Sequence, residues 1–291
     1  MKQYYHCASK GLEDDFLFKS ILAFIAGMNR IGICYLKSLK DHPVKIIAFC
    51  LMDNHVHFIL YGTKEDCLKF MADYRALTEM WLVRHGEKGD AGKNWKYDAW
   101  PIKNNDDLKG KIIYVHRNPI AARINLIPSG YRWSSAPLIF NDNSFYKSLL
   151  RPINSLSQRK RRSLFNTKTE FPNDWTYLPE GMIWPGCYCL TKNVETMFKT
   201  AWNYQYELNQ RVEEAVNTEI LAGKVSLPDR DVLKIAAKVS GDLFGIDDID
   251  FLTIDQRIKL CTELRKRNGA NIGQLARLVH INIMDLKQIL R

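Results

Sequence analysis

The sequence predicts an α+β protein followed by an all-helical region, and three observations carry that reading. Over about residues 1–140, apolar runs of strand length alternate with segments of helical periodicity. Two of those runs, Val44–Leu51 and His55–Tyr61, are separated only by the turn-forming Met52-Asp53-Asn54, the pattern of a β-hairpin. From Val194 onward the periodic segments are helical.

In chain order, Gln3–Ala8 is β-prone, and Gly11 with Asp14 and Asp15 marks a loop. Phe16, Ile21, Leu22, Phe24 and Ile25 share one helical face, which predicts a helix from Phe16 to about Met28. The hairpin 44–61 follows Pro43. Asp66–His85 is helical, with Leu68, Met71, Leu77 and Trp81 on its apolar side. The glycine-rich 86–92 lacks the Lys-Ser/Thr and the flanking strand and helix of a phosphate loop, so it reads as a connection. Trp95–Lys103 reads as a strand and Asp106–Arg117 as a helix. Pro119 disfavours α geometry at the residue before it, so the helix is expected to break at Asn118-Pro119, with helical composition resuming toward Leu126.

Tyr131-Arg-Trp-Ser-Ser135 and Pro137–Phe140 close a first domain, 1–150. Residues 151–190 read as a basic, irregular linker: Arg151–Arg162 has no acidic residue, and 171–190 is rich in Pro, Trp and Tyr. The third region, 191–291, is helical over Val194 to about Ala222 and over Asp229–Phe244. At its end Thr253-Ile-Asp-Gln256 has capping-box spacing and starts a helix to Arg267, stopped by Gly269. A short helix capped from Asn271 runs to Val279, His280–Asn282 turns, and Ile283–Leu290 is helical again. Short helices joined by tight turns over about 253–291 resemble a helix-turn-helix, although His280 falls where a small residue is usual. The plainer alternative is a helical cap on the preceding bundle.

A net charge of +10 favours a polyanionic partner over a neutral one, although a basic surface alone would give the same sum. The seven cysteines are odd in number and scattered, and the N-terminus has no signal-peptide core, so they read as reduced thiols of a cytoplasmic protein. Cys187 and Cys189 lack the second pair of a zinc site and read as structural. No apolar run approaches the roughly 20 residues of a membrane span.

The chemistry centres on His55 and His57. Two apart on a strand, they project to one face, with Val56 pointing into the core. Neutral imidazoles so placed can hold one divalent ion, yet the same spacing also arises with no ion at all. On a helix Tyr114 and Asn118 are four apart and share a face, offering a phenol and an amide oxygen to whatever the hairpin holds. His116 lies off that face and reads as structural. Basic and amide side chains suited to DNA contacts are Arg159, Lys160, Arg161 and Arg162 in the linker, and Gln274, Arg277, Lys287 and Gln288 in the last helices. A solvated charge run is the alternative for the first four.

Met52-Asp-Asn-His-Val-His-Phe58, then Tyr114-Val-His-Arg-Asn-Pro-Ile-Ala-Ala-Arg123, then Tyr131-Arg-Trp-Ser-Ser135 together resemble the single-tyrosine HUH transposases, in particular their REP-associated branch. Three motifs in this order over about residues 1–140 are specific where each alone is weak. The match departs at Asp53, where proline is common. The resemblance implies an antiparallel sheet with helices packed on it, a ferredoxin- or RRM-like domain. It implies His55, His57 and Asn118 as ligands of Mg²⁺ or Mn²⁺, and Tyr114 as the nucleophile on single-stranded or hairpin DNA. Transposition would then proceed through a 5′-phosphotyrosine with a free 3′-hydroxyl. It further implies a nucleoid-associated protein acting as a monomer or as a homodimer. A domesticated protein that binds hairpin-forming repeats without cutting is the competing expectation; a small-molecule metal hydrolase leaves the basic segments unexplained.

Overall fold

The computed structural model describes residues 1–9, 17–86, 95–122, 124, 127–209, 229–268, 270 and 272–290, the side chains of 230, 231, 266–268 and 284 aside. The chain forms two compact units, one of residues 1–118 and 129–208, the other of 119–128 and 209–291. The expected loop at Gly11–Asp15, the glycine-rich loop beyond Gly86, the helix end at Leu126, the stretch to Ala222, and Gly269 and Asn271 lie outside the described residues.

The first unit opens with the order β1 (Gln3–Ser9), α1 (Ile21–Asp41), β2 (Lys45–Leu51), β3 (Val56–Gly62), α2 (Lys64–Arg84) and β4 (Tyr97–Pro101). All pairings are antiparallel, and the strands lie in the order β2-β3-β1-β4. This is a βαββαβ, ferredoxin-like sheet of the α+β class. The hairpin stands as expected, closed by Met52 N–H donating to His55 O at 2.8 Å. The backbone carbonyl of Asp53 accepts from Leu17 N and Phe18 N.

Register assigns the two faces. His6 pairs with Ile59 and Trp100, and Ala8 with His57 and Asp98, so these six side chains lie on one face. Phe49, Leu51, Val56 and Phe58 lie on the other, where Phe58 meets Phe70 and Tyr74 of α2 edge-on at 5.5 and 5.3 Å. Both long helices therefore cover one face, and the histidines project from the opposite one.

α1 starts later and runs further than its periodicity suggests. Ser20 accepts from Ala23 N at 3.1 Å, and a stripe through Met28, Ile31, Ile33 and Leu36 stays buried to the last turns. By length and composition alone α1 would pass for a membrane span, but 67% of its most apolar window is buried inside the protein, the setting of a core helix. Thr63 and Asp66 form a capping box that starts α2.

The stretch 151–190, expected as a linker, is not one. Ile153, Phe165, Phe171, Trp175, Tyr177, Ile183 and Tyr188 belong to the core cluster of the first unit. Buried polar groups of α1 tie it down: Asn29 bonds Gly181 O at 2.9 Å and Ile183 N at 2.7 Å, and Arg30 donates to Phe165 O at 2.7 Å. Gly32 permits the approach, since a Cβ there would sit 3.0 Å from Tyr188 Cδ1. The stretch holds α5 (Gln158–Phe165), after the short α4 (Ser144–Leu149), and the pair β5 (Arg151–Pro152) and β6 (Thr176–Tyr177). The unit ends with α6 (Thr191–Phe198) and the helical residues 201–208.

The outer edge of β2 is covered. Leu51 N donates to Trp133 O and Ser135 N to Phe49 O, while Leu190 N donates to Ile46 O. Tyr131 Oη donates to Leu51 O at 2.7 Å, and Trp133 stacks on Phe24 at 4.9 Å. The Tyr-Arg-Trp-Ser-Ser string thus serves as an edge cover for the histidine-bearing hairpin.

In the second unit α7 (Asp229–Phe244), α8 (Ile254–Asn268), α9 (Ile272–Val279) and α10 (Ile283–Ile289) follow the expected pattern. Thr253 and Gln256 exchange the predicted capping-box bonds at 2.9 and 3.4 Å. His280 takes the turn with φ 54°, a left-handed position that usually favours glycine. Arg257 holds that region by donating to Val279 O at 2.9 Å, Leu252 O at 3.0 Å and Asp250 O at 2.8 Å. Leu260, Leu264, Leu275, Val279 and Leu286 form the interior between these helices.

Candidate metal and nucleophile site

α3 (Asn105–Ala121) carries the tyrosine across the histidine-bearing face. Its start is fixed by Asn104 Oδ1 accepting from Asp107 N at 2.9 Å. Contrary to the expected break, it continues through Pro119. The proline removes the N–H that would serve Val115 O, and the Asn118 side chain compensates: its Nδ2 donates to Tyr114 O at 2.9 Å and lies 3.5 Å from Val115 O. That leaves Oδ1 as the accepting end of the amide, an orientation set by the hydrogen bonds around it.

α3 is also pinned from beneath. His116 is fully buried, with Nε2 2.8 Å from Ser135 Oγ and Nδ1 2.7 Å from Tyr204 Oη. Ser135 Oγ in turn accepts from Phe49 N at 2.9 Å. The chain Tyr204–His116–Ser135–Phe49 links the 201–208 stretch, α3, the Ser-Ser motif and β2. Burial pushes the His116 imidazole down to about 3, so it stays neutral and structural, as its off-face position implies.

With α3 held this way, Tyr114 is 49% exposed and its ring stands edge-on to His57 at 5.5 Å and to His6 at 5.7 Å. Lys111, one turn earlier, lies 6.0 Å from the Tyr114 ring centroid. His55 and His57 are 4.8 Å apart, ring to ring, and Val56 between them is buried. His55 Nδ1 is 2.6 Å from Asn54 Oδ1, which fixes Nδ1 as the protonated nitrogen and Nε2 as the lone pair. His57 Nδ1 is 3.0 Å from His6 Nε2, and the two rings stack at 5.2 Å. His57 Nε2 is buried with no hydrogen-bond partner.

Electrostatics keeps all three imidazoles neutral. Burial, with the neighbouring His55 and His6, holds His57 well below its ordinary range, and Asn118 opposes weakly. Burial lowers His55, opposed by Asn118 and Asp53. Burial and then Lys111 push His6 down to about 4. Asn118 is thus near enough to favour the charged form of both hairpin imidazoles, yet closes no hydrogen bond on His57 Nε2. An orphaned neutral nitrogen, a second lone pair beside it and an amide oxygen make a donor set that fits a divalent ion. Two nitrogens and one amide oxygen suit Mn²⁺ at least as well as Mg²⁺, and leave coordination positions for water or phosphate. Among the described residues no cluster of three or more His, Cys, Asp or Glu side chains is suited to a metal, so an amide oxygen is needed to complete any such set.

The structure therefore brings His55, His57, Asn118 and Tyr114 together. Missing from the sequence reading was His6, whose only local signal is its place in a short β-prone run; its relation to His57 is set by register 51 residues away. Of the residues expected to contact DNA, Arg159, Lys160 and Arg162 are exposed on α5, while Arg161 lies 3.9 Å from Glu170. Lys287 and Gln288 lie on α10, half-buried and exposed. Gln274 and Arg277 do not fit the expected role. Gln274 is buried and donates to Asp229 Oδ1 at 2.9 Å, and Arg277 clamps the same carboxylate at 2.8 and 3.2 Å, so both close the interior of the second unit.

No family model and no curated protein matches the chain. Among solved structures, a REP-associated tyrosine transposase bound to a REP hairpin is similar at 15% identity, over 59% of this chain and 89% of that chain, with a TM-score of 0.35. That likeness is too distant to bear on activity.

Proposed function

We propose that this protein is a DNA strand transferase that nicks single-stranded or hairpin DNA with Tyr114 as nucleophile. The observation that carries the proposal is the convergence of a half-exposed phenol from α3 on an orphaned imidazole nitrogen from β3. The three sequence motifs support it, and so does the net charge of +10. Trp100, 49% exposed and 5.8 Å from His6, offers an indole face beside the site for a nucleobase to stack on.

The Tyr114 oxygen attacks phosphorus, the bond to the 3′-oxygen breaks, and the phenolic proton is made up on that leaving oxygen through solvent. The products are a 5′-phosphotyrosine and a free 3′-hydroxyl, and reversal onto another 3′-end joins strands without an external energy source. His55, His57 and Asn118 would hold Mg²⁺ or Mn²⁺, whose charge when bound stabilises the negative charge growing on the phosphate oxygens. Asn118 keeps the last turn of α3 closed under Tyr114, and the buried His116 chain sets the angle of that helix on the sheet.

Incubation of the protein with labelled hairpin and linear single strands in Mn²⁺ is expected to give a covalent protein–DNA adduct, stable to denaturation. Tyr114→Phe should lose the adduct while retaining DNA binding. An adduct that persists in the Phe variant removes Tyr114 as nucleophile. Binding with no adduct on any strand would favour the non-cutting, hairpin-binding alternative.

A further inference from the structure

We infer that His6 is a positioning residue that selects the metal-binding tautomer of His57, an inference that rests on the site proposed above. A neutral pair at 3.0 Å shares one proton between His57 Nδ1 and His6 Nε2. If His6 donates, His57 must carry its own proton on Nε2, a buried N–H on which no hydrogen bond is closed, with only the Asn118 amide nearby. If His57 donates, its Nε2 is a bare lone pair beside His55 and Asn118. Only the second arrangement gives that nitrogen a use, and it requires an acceptor at the place of His6 Nε2.

The surroundings hold His6 to that task. It sits in β1 between β3 and β4, paired with Ile59 and Trp100, and its ring stacks on His57 at an interplanar angle of 13°. Tyr114 stands edge-on to both rings, at 5.7 and 5.5 Å. His6 is 9% exposed, so water does not readily replace it as the acceptor. His55 has the equivalent partner in Asn54 Oδ1 at 2.6 Å. Each hairpin imidazole therefore has its own orienting group, one from the turn and one from the neighbouring strand, the outer-shell arrangement by which proteins fix histidine ligands.

Two measurements test this, neither of them activity. Long-range proton–nitrogen correlation spectra of histidine-labelled protein without metal should show His57 as the Nδ1–H tautomer; the Nε2–H tautomer there overturns the assignment outright. Mn²⁺ binding, followed by the spin resonance of the free ion, should weaken about 10- to 100-fold in His6→Phe, which keeps a stacking ring but no acceptor. His6→Gln, which restores an acceptor at the same reach, should bind within about 3-fold of the wild type on the same outer-shell argument. Wild-type affinity in the Phe variant, or Gln as weak as Phe, rejects the role of His6. His57→Ala is the control for the site itself: if it binds Mn²⁺ as tightly as the wild type, the metal site falls, and the inference with it.

Discussion

His55, His57 and Tyr114 announce themselves in the sequence because each sits in a string whose spacing has chemical meaning. His6 does not, because its function lies in a cross-strand neighbour. Asn118 occupies an intermediate position: its face was legible, but its service to the carbonyls that Pro119 leaves open was not. Elsewhere, residue-scale constraint comes from sterics. At Gly27 an added Cβ would lie 2.6 Å from Phe18 Cε1 and 2.9 Å from Leu51 Cδ2, where α1 crosses the hairpin sheet. Gly27→Ala is expected to destabilise the first unit by about 1–3 kcal/mol, because a well-packed interior must shift to admit the methyl. Denaturant unfolding would measure it, and a neutral or stabilising effect would show that this packing has room for a methyl group.

Among the elements, α3 is the one on which the site depends. Its continuation through Pro119 could not be read from a rule that concerns the residue before proline, because the rule has no knowledge of an asparagine able to substitute for the missing donor. α1 was misjudged at both ends: Phe16–Met28 showed the right period, but the start is set by Ser20 and the end by how far the buried stripe extends. The support under α3 predicts a sharp effect. Ser135→Ala removes the partner of both His116 Nε2 and Phe49 N, and each orphaned buried group costs about 1–3 kcal/mol. The expected outcome is a lower unfolding midpoint together with reduced adduct formation, since Tyr114 rides on the loosened helix. Loss of stability with undiminished adduct yield would separate the two roles.

For the whole molecule, the helical pattern of 253–291 was legible because capping residues and apolar periodicity agree there, whereas 151–190 was not. A segment rich in Pro, Trp and Tyr carries no period, and its membership of the core follows from tertiary contacts such as those of Asn29 and Arg30. The seven cysteines are free, and most are buried. Burial raises Cys34 and Cys50 above the ordinary thiol range and pushes Cys189 and Cys261 up to about 12. A folded pKa above the unfolded value of 9.0 gives stability that is complete below pH 9 and is lost as pH rises toward the folded value. Unfolding free energy should fall by about 1.4 kcal/mol per pH unit for each such thiol above pH 9, with these buried thiols inert to thiol reagents in the native protein. A flat profile between about pH 9 and 11 would contradict this, since that interval lies above the unfolded thiol value.

The buried relay from Tyr204 through His116 and Ser135 to Phe49 also limits how this chain can drift. Changing Tyr204 alone strands one imidazole nitrogen, and changing His116 alone strands the Tyr204 phenol and takes one partner from the Ser135 hydroxyl. Single steps are penalised while concerted replacement by apolar groups of matching shape can be nearly neutral. In descendants of this sequence the three side chains should be inherited, or abandoned, as a block.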